Sequence, residues 1–130
     1  MMNPPIVQPI LTAKAATGQG ETFAVGYYSN IQLMLNTASS ANFTLKVQGS
    51  FAATAPDFSS ASSPTNPWFF VATWNLDSNA LVAGATGIAA TGTDLQQGLL
   101  VNVDGLQWMS AQITAWAAGA ITVVGYANND

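Results

Sequence analysis

This 130-residue sequence has no cysteine and no histidine. Their absence excludes disulfides, thiolate nucleophiles, zinc sites of the usual kind and every catalytic triad that uses imidazole as its base. Positive charge is nearly absent too. Lys14 and Lys46 stand against Glu21, Asp57, Asp77, Asp94, Asp104 and Asp130, for a net charge of −4. Nucleic acid needs clustered Lys and Arg to neutralise its phosphates, and an anionic membrane surface makes the same demand, so both are excluded as partners. The stability of the chain has to come from packing and assembly.

What the chain does have is alternation. The stretch "MSAQITAW" sets Met109, Ala111, Ile113 and Ala115 against Ser110, Gln112, Thr114 and Trp116. That period of two belongs to a half-buried strand. A membrane-spanning helix would want about 20 apolar residues and flanking cations to orient it, and no Lys or Arg flanks this segment. "AAGA" at 117–120 offers Gly119 for a short hairpin turn, and Ile121, Val123 and Gly125 then alternate with Thr122, Val124 and Tyr126. Further strands are predicted at 21–27, 31–37, 42–48, 68–74, 80–84 and 98–103. Within "NFTLKVQ", Phe43, Leu45 and Val47 point inward and Thr44, Lys46 and Gln48 outward. No window shows a helical period. The expectation is an all-β domain, a single antiparallel β-sandwich of jelly-roll type with eight or nine short strands, over 13–130. Its Ser/Pro-rich stretch at 50–67 is too long for a turn and reads as a surface loop.

Residues 1–12 read as an extended arm. Pro4, Pro5 and Pro9 interrupt the apolar run that an export signal requires, and no basic residues precede it, so no signal peptide is expected. Ile6, Val7, Ile10 and Leu11 give the arm an apolar face with which to dock on another subunit. A faint internal repeat is also visible. "AATG" occurs at 15–18 and 89–92, and each copy leads through "NIQL" or "GLQW" and a Thr-Ala pair to Gly49 or Gly125.

Chemistry is sparse. Asp77, Asp94 and Asp104 fall in turn contexts, and Asp104 precedes Gly105 in ordinary turn fashion. There is no dense Asp/Asn calcium motif and no phosphate-cradling glycine loop, so neither enzyme activity nor a metal or cofactor is expected. The aromatics carry more. Trp108, Trp116 and Tyr126 project opposite the Met109/Ile113 row, with Met34 and Val124 beside them, and large apolar groups on a non-core face mark a contact surface. Trp68 and Trp74, in a strand apolar on both faces, read as core.

The stretch "GLLVNVDGLQWMSAQITAWAAGAITVVGYA", with "NFTLKVQGS" and "NPWFFV" upstream, resembles small β-sandwich virion proteins of tailed bacteriophages over about residues 21 to 127. Ser110 and Gln112 stand where such proteins often carry arginines, and Phe51 with the loop after it replaces their Asp-Gly. The resemblance implies a capsid decoration (cement) protein, a head fibre or a tail-associated component. The expected partners are then the major capsid protein and copies of the chain itself, as a homotrimer, on the capsid surface of a virion assembled in the host cytoplasm. The expected interface is Ile6, Val7, Ile10, Met34, Trp108, Trp116, Val124 and Tyr126. Two other functions stay open: a tail or baseplate subunit of the same fold, and a carbohydrate-binding module that stacks sugars on Trp108 or Trp116.

Overall fold

The computed structural model describes residues 6–127, and these are all β and coil. Ten strands follow one another: β1 (Ile6–Lys14), β2 (Gly18–Gln19), β3 (Phe23–Ala24), β4 (Asn30–Ser50), β5 (Phe69–Val71), β6 (Thr73–Asn75), β7 (Ala80–Val82), β8 (Ile88–Thr91), β9 (Gln96–Asn102) and β10 (Trp108–Ala127). All pairings are antiparallel. No helix of the described residues is long and apolar enough to cross a membrane.

Two strands dominate. β4 has 21 residues and β10 has 20, and they pair with each other from Trp108↔Ser50 to Ala127↔Ile31. The sequence reading split each of them in two and placed a hairpin at 117–120. The structure corrects this: Met109–Ile113 and Ile121–Tyr126 do not pair with one another, because both pair with β4. The positive φ expected at Gly119 is present, at 92°, but it serves a corner within one strand rather than a chain reversal. Register slips between Ile113 and Ala120, and Ser39 and Ser40 in β4 also take left-handed backbone at φ 67° and 54°. Small residues in "AAGA" and "SSA" let the two backbones bend together. The β4 corner is further braced by Asp94, whose carboxylate accepts the Ala41 N–H (3.1 Å) and the Thr37 hydroxyl (3.3 Å).

The corner divides the sheet into two wings. The first consists of β1, residues 120–127 of β10, residues 30–38 of β4, then β9, β6 and β7. The second consists of β2 and β3, residues 108–118 of β10, residues 42–50 of β4, and β5 and β8. Inward residues from both, Ile31, Leu33, Leu99 and Val123 from one and Phe43, Leu45, Met109 and Ile113 from the other, form one core cluster. The wings meet closely. A Cβ on Gly125 of the first wing would lie 3.0 Å from the Phe23 ring of the second, so glycine there makes room for the ring.

The backbone does repeat itself, but at an offset of 78 positions and not at the 74 (89 − 15) that separates the two "AATG" copies, so those copies do not occupy equivalent places. Val25 N–H donates to Gln107 O and Val103 N–H donates to Ser29 O, both at 2.9 Å, and each residue maps onto its counterpart by the same shift of 78 positions (103 − 25 and 107 − 29). The turn bonds Tyr28 N–H to Val25 O and Leu106 N–H to Val103 O follow the same relation. β4 and β10 are thus equivalent strands about a pseudo-twofold axis between them.

The N-terminal segment also needs correction. From Ile6 onward it is not a free arm but the edge strand β1, paired with β10 of its own chain from Ile6↔Ala127 to Lys14↔Ile121. Pro9 hid this in the sequence, yet an edge strand tolerates proline, and a register slip follows it between Pro9 and Leu11. Ile10 and Leu11 are buried in the chain's own core, so Ile10 is not an interface residue. Residues 1–5 of the expected arm lie outside the described residues.

Candidate interaction surface

The outer faces of the two wings differ. That of the second wing is closed by the chain itself. Gln48, expected to point to solvent, does leave the core side but is fully buried, as are Ser50 and Ser110. The reason is the 51–68 connection, which folds over them. Gln48 donates to Phe58 O (2.9 Å), and Phe58 is itself buried. Gln19 Nε2 donates to Gln48 Oε1 (2.7 Å) and Ser110 Oγ (2.8 Å), and Ser110 Oγ in turn donates to Glu21 O (2.9 Å). No buried side-chain polar atom among the described residues is left without a partner.

The loop is internally tied. Asn66 Oδ1 accepts the Asp57 N–H (2.7 Å) while its Nδ2 donates to Asp57 O (2.8 Å). The Asp57 carboxylate accepts the hydroxyls of Ser59 and Ser60 and the Ser59 N–H, which holds it below the usual carboxylate range. A depressed folded value means that these contacts are at full strength above the ordinary Asp pKa of about 3.9 and are lost as pH falls through the lower folded one. Asp57→Ala is therefore expected to raise amide exchange at Ser59 and Ser60 at neutral pH, and acid is expected to do the same to the parent. Unchanged exchange in the variant would show that the carboxylate does not order the loop.

Trp68 and Trp108 belong to this closed side. Trp68 is half-buried between Phe58 and Phe70, with its Nε1 donating to Ser60 O (2.9 Å), so it serves the loop and not the core. Trp108, expected at an interface, is half-buried and donates its Nε1 to Ala52 O (3.0 Å) in the loop. Trp116 lies at the corner, 36% exposed, and its Nε1 donates to Gly119 O (2.9 Å). Trp116→Ala should cost about 1 kcal/mol through that bond, a few degrees in melting temperature by calorimetry.

Among the described residues the first wing has no such cover. The one charged side chain on its strands is Lys14, at the far end of β1; residues 6–12, 30–36, 73–75, 80–82, 96–102 and 120–127 carry none. Register places Val7 beside Tyr126, Pro9 beside Val124, and Val124 beside Met34 on the outward side. Val7 is 52% and Met34 41% exposed. Four of the eight expected interface residues, Val7, Met34, Val124 and Tyr126, therefore form one patch. Ile6 is exposed but follows the inward register of Ala127 and Ile31 at the end of the wing.

Farther across the same wing, the outward row continues through Leu100 and Trp74 to Leu81. Trp74 was expected in the core. It is 37% exposed because the predicted strand 68–74 breaks at Ala72: β5 pairs with β4 on the second wing, whereas β6 pairs with β9 on the first. Alternation alone does not show a strand changing wings.

No protein family and no curated protein matches the sequence. A solved structure does match the fold. The chain is built like a prophage protein. The crystal structure of the SPBc2 prophage-derived protein YomS superposes with a TM-score of 0.72 over 98% of this chain and 95% of that one, at 12% identity. At that identity the likeness is one of fold.

Proposed function

We propose that the chain is a structural subunit of a phage particle, and more narrowly a capsid decoration protein that binds the major capsid protein and copies of itself. The observation that carries this reading is the sparsely charged outer face of the first wing, with Val7, Met34, Val124 and Tyr126 contiguous on it. The fold is otherwise complete: its core is closed and its second wing is covered by its own loop. An apolar patch left open on such a domain is a place for another protein, where an unpaired charge would be costly to desolvate. The fold shared with a prophage protein supports a phage setting. The role is passive and needs no catalytic residue: contacts spread over neighbouring capsid subunits oppose rupture of the shell.

Purified particles made with and without this chain test the proposal. Decoration predicts many copies on the head surface, seen as density at regular capsid positions, and a higher rupture temperature when the chain is present. Density confined to the tail would assign the subunit to the tail or baseplate instead. Absence from the particle would remove the virion role altogether.

A further inference from the structure

A cleft of about 550 Å³ opens at the rim of the first wing, within the range of about 300–1,000 Å³ found for small-ligand sites. Its walls include Phe51, Phe69, Trp74 and Leu81, and Asn102 and Asp104 stand among them. Exposed rings at a free surface are unfavourable, and here three share one concavity. Phe51 and Phe69 lie 5.2 Å apart between ring centroids, tilted by 38°.

The walls are held in place by the fold. The Ser50 hydroxyl donates to Pro67 O (2.6 Å) and accepts the Ala52 N–H (3.1 Å), which pins the chain on both sides of Phe51 and just ahead of Phe69. The Phe51 ring also comes within 3.6 Å of where a Cβ of Gly105 would lie, so it leans on the Asp104–Gly105 turn. Trp74 is set by its pairing with Leu81 on one side and Leu100 on the other.

The cleft offers polar groups that make no hydrogen bond within the described residues, and its indole differs in this from the other three. Trp68, Trp108 and Trp116 each donate their indole N–H to a backbone carbonyl, whereas Trp74 Nε1 has no partner among the described residues. Asn102 Oδ1 accepts the Asp104 N–H (3.0 Å), but its Nδ2 and the Asp104 carboxylate have no protein partner among the described residues. Neither lysine lines the cleft, and Lys46 sits over the Phe70 ring, 5.0 Å from its centroid, on the second wing. A phosphate or carboxylate ligand would therefore meet a carboxylate with no cation to balance it.

Flat apolar rings, free N–H donors, a hydroxyl acceptor and no positive charge together describe a receptor for a neutral polyol. The C–H face of a pyranose stacks on the negative face of an aromatic ring, and its hydroxyls pair with amide and carboxylate groups at the edge. We propose that this cleft binds a neutral oligosaccharide, with Phe51, Phe69 and Trp74 as stacking rings and Trp74 Nε1, Asn102 and Asp104 as hydroxyl partners. None of Val7, Met34, Val124 and Tyr126 lines this cleft, and sugar binding there does not depend on a place in a virion.

The test is an NMR titration of the four indole N–H signals of the full chain with maltotetraose, cellotetraose, xylotetraose and chitotetraose in turn. Each is taken to about 10 mM, which fills about nine-tenths of a site with a Kd of 1 mM. At least one probe is expected to move the Trp74 signal saturably while the three internally bonded indoles stay in place. Trp74→Ala, followed by calorimetry, and Phe51→Ala should each weaken binding tenfold or more. Phe51 is 64% exposed, so its loss leaves the melting temperature near that of the parent and keeps the test clear of misfolding. If no probe moves Trp74, or if binding survives in Phe51→Ala and Trp74→Ala, the sugar site is disproved.

Discussion

Val124→Asp is expected to abolish assembly while leaving a folded monomer. Val124 lies outward on β10 between Pro9 and Met34, in the middle of the open patch. In the isolated chain a carboxylate there can reach water, so the cost to folding should stay within about 1 kcal/mol. In an assembly it would be buried without a partner, because no cation lies on the strands of this wing between residues 6–12, 30–36 and 120–127. An unpaired buried charge costs about 3 kcal/mol or more, equal to roughly a hundredfold or greater loss of affinity. Sedimentation of the isolated chain and its occupancy on particles both read this loss. Normal association and normal occupancy would mean that the patch is not the contact surface, and the decoration reading would lose its main support.

The second large effect concerns the corner, where Gly119→Val should damage folding itself. Gly119 has φ 92°, and a Cβ there would come within 2.5 Å of Ala41 Cα and 2.9 Å of Ala38 O. Both atoms are backbone of the paired strand β4, so neither moves cheaply. Strained φ and overpacking each cost about 1–3 kcal/mol, and together they should remove about 4 kcal/mol, a drop of about 15 °C in melting temperature. Gly92→Val is the matched control. It shares the positive φ, at 81°, but has nothing within 4 Å of the new Cβ, so only the smaller backbone term should appear. Equal losses in the two variants would show that the close approach of β4 and β10 at the corner is not what limits the site.

Much of the fold was legible in the sequence because its main signal is local. Alternation at Phe43–Val47 and at Met109–Ile113 identified strands and their inward faces, and those residues are core. The same alternation brought Met34, Val124 and Tyr126 to the outward side, where β4 and β10 pair. The loop after Ser50 was readable from its Ser and Pro content and its length.

Two features were not local. A corner within a strand and a turn between two strands use the same small residues and the same positive φ, so "AAGA" read as a hairpin; only the pairing of both halves of β10 with β4 distinguishes them. Outward does not mean exposed when a loop returns over a sheet, which is why Gln48 and Trp108 are covered while Trp74 is not.

By itself the sequence determined the all-β antiparallel class, the scarcity of charge along one wing, and most of the core rows, because side-chain period and composition belong to neighbouring residues. The tertiary structure alone decided that β1 is an edge strand, that two long strands bend around one core, and that Phe51, Phe69 and Trp74 meet in a cleft. Those outcomes depend on which distant segments pair. The free energy of such pairing lies in contacts between residues far apart in the chain, where no short window of sequence records it.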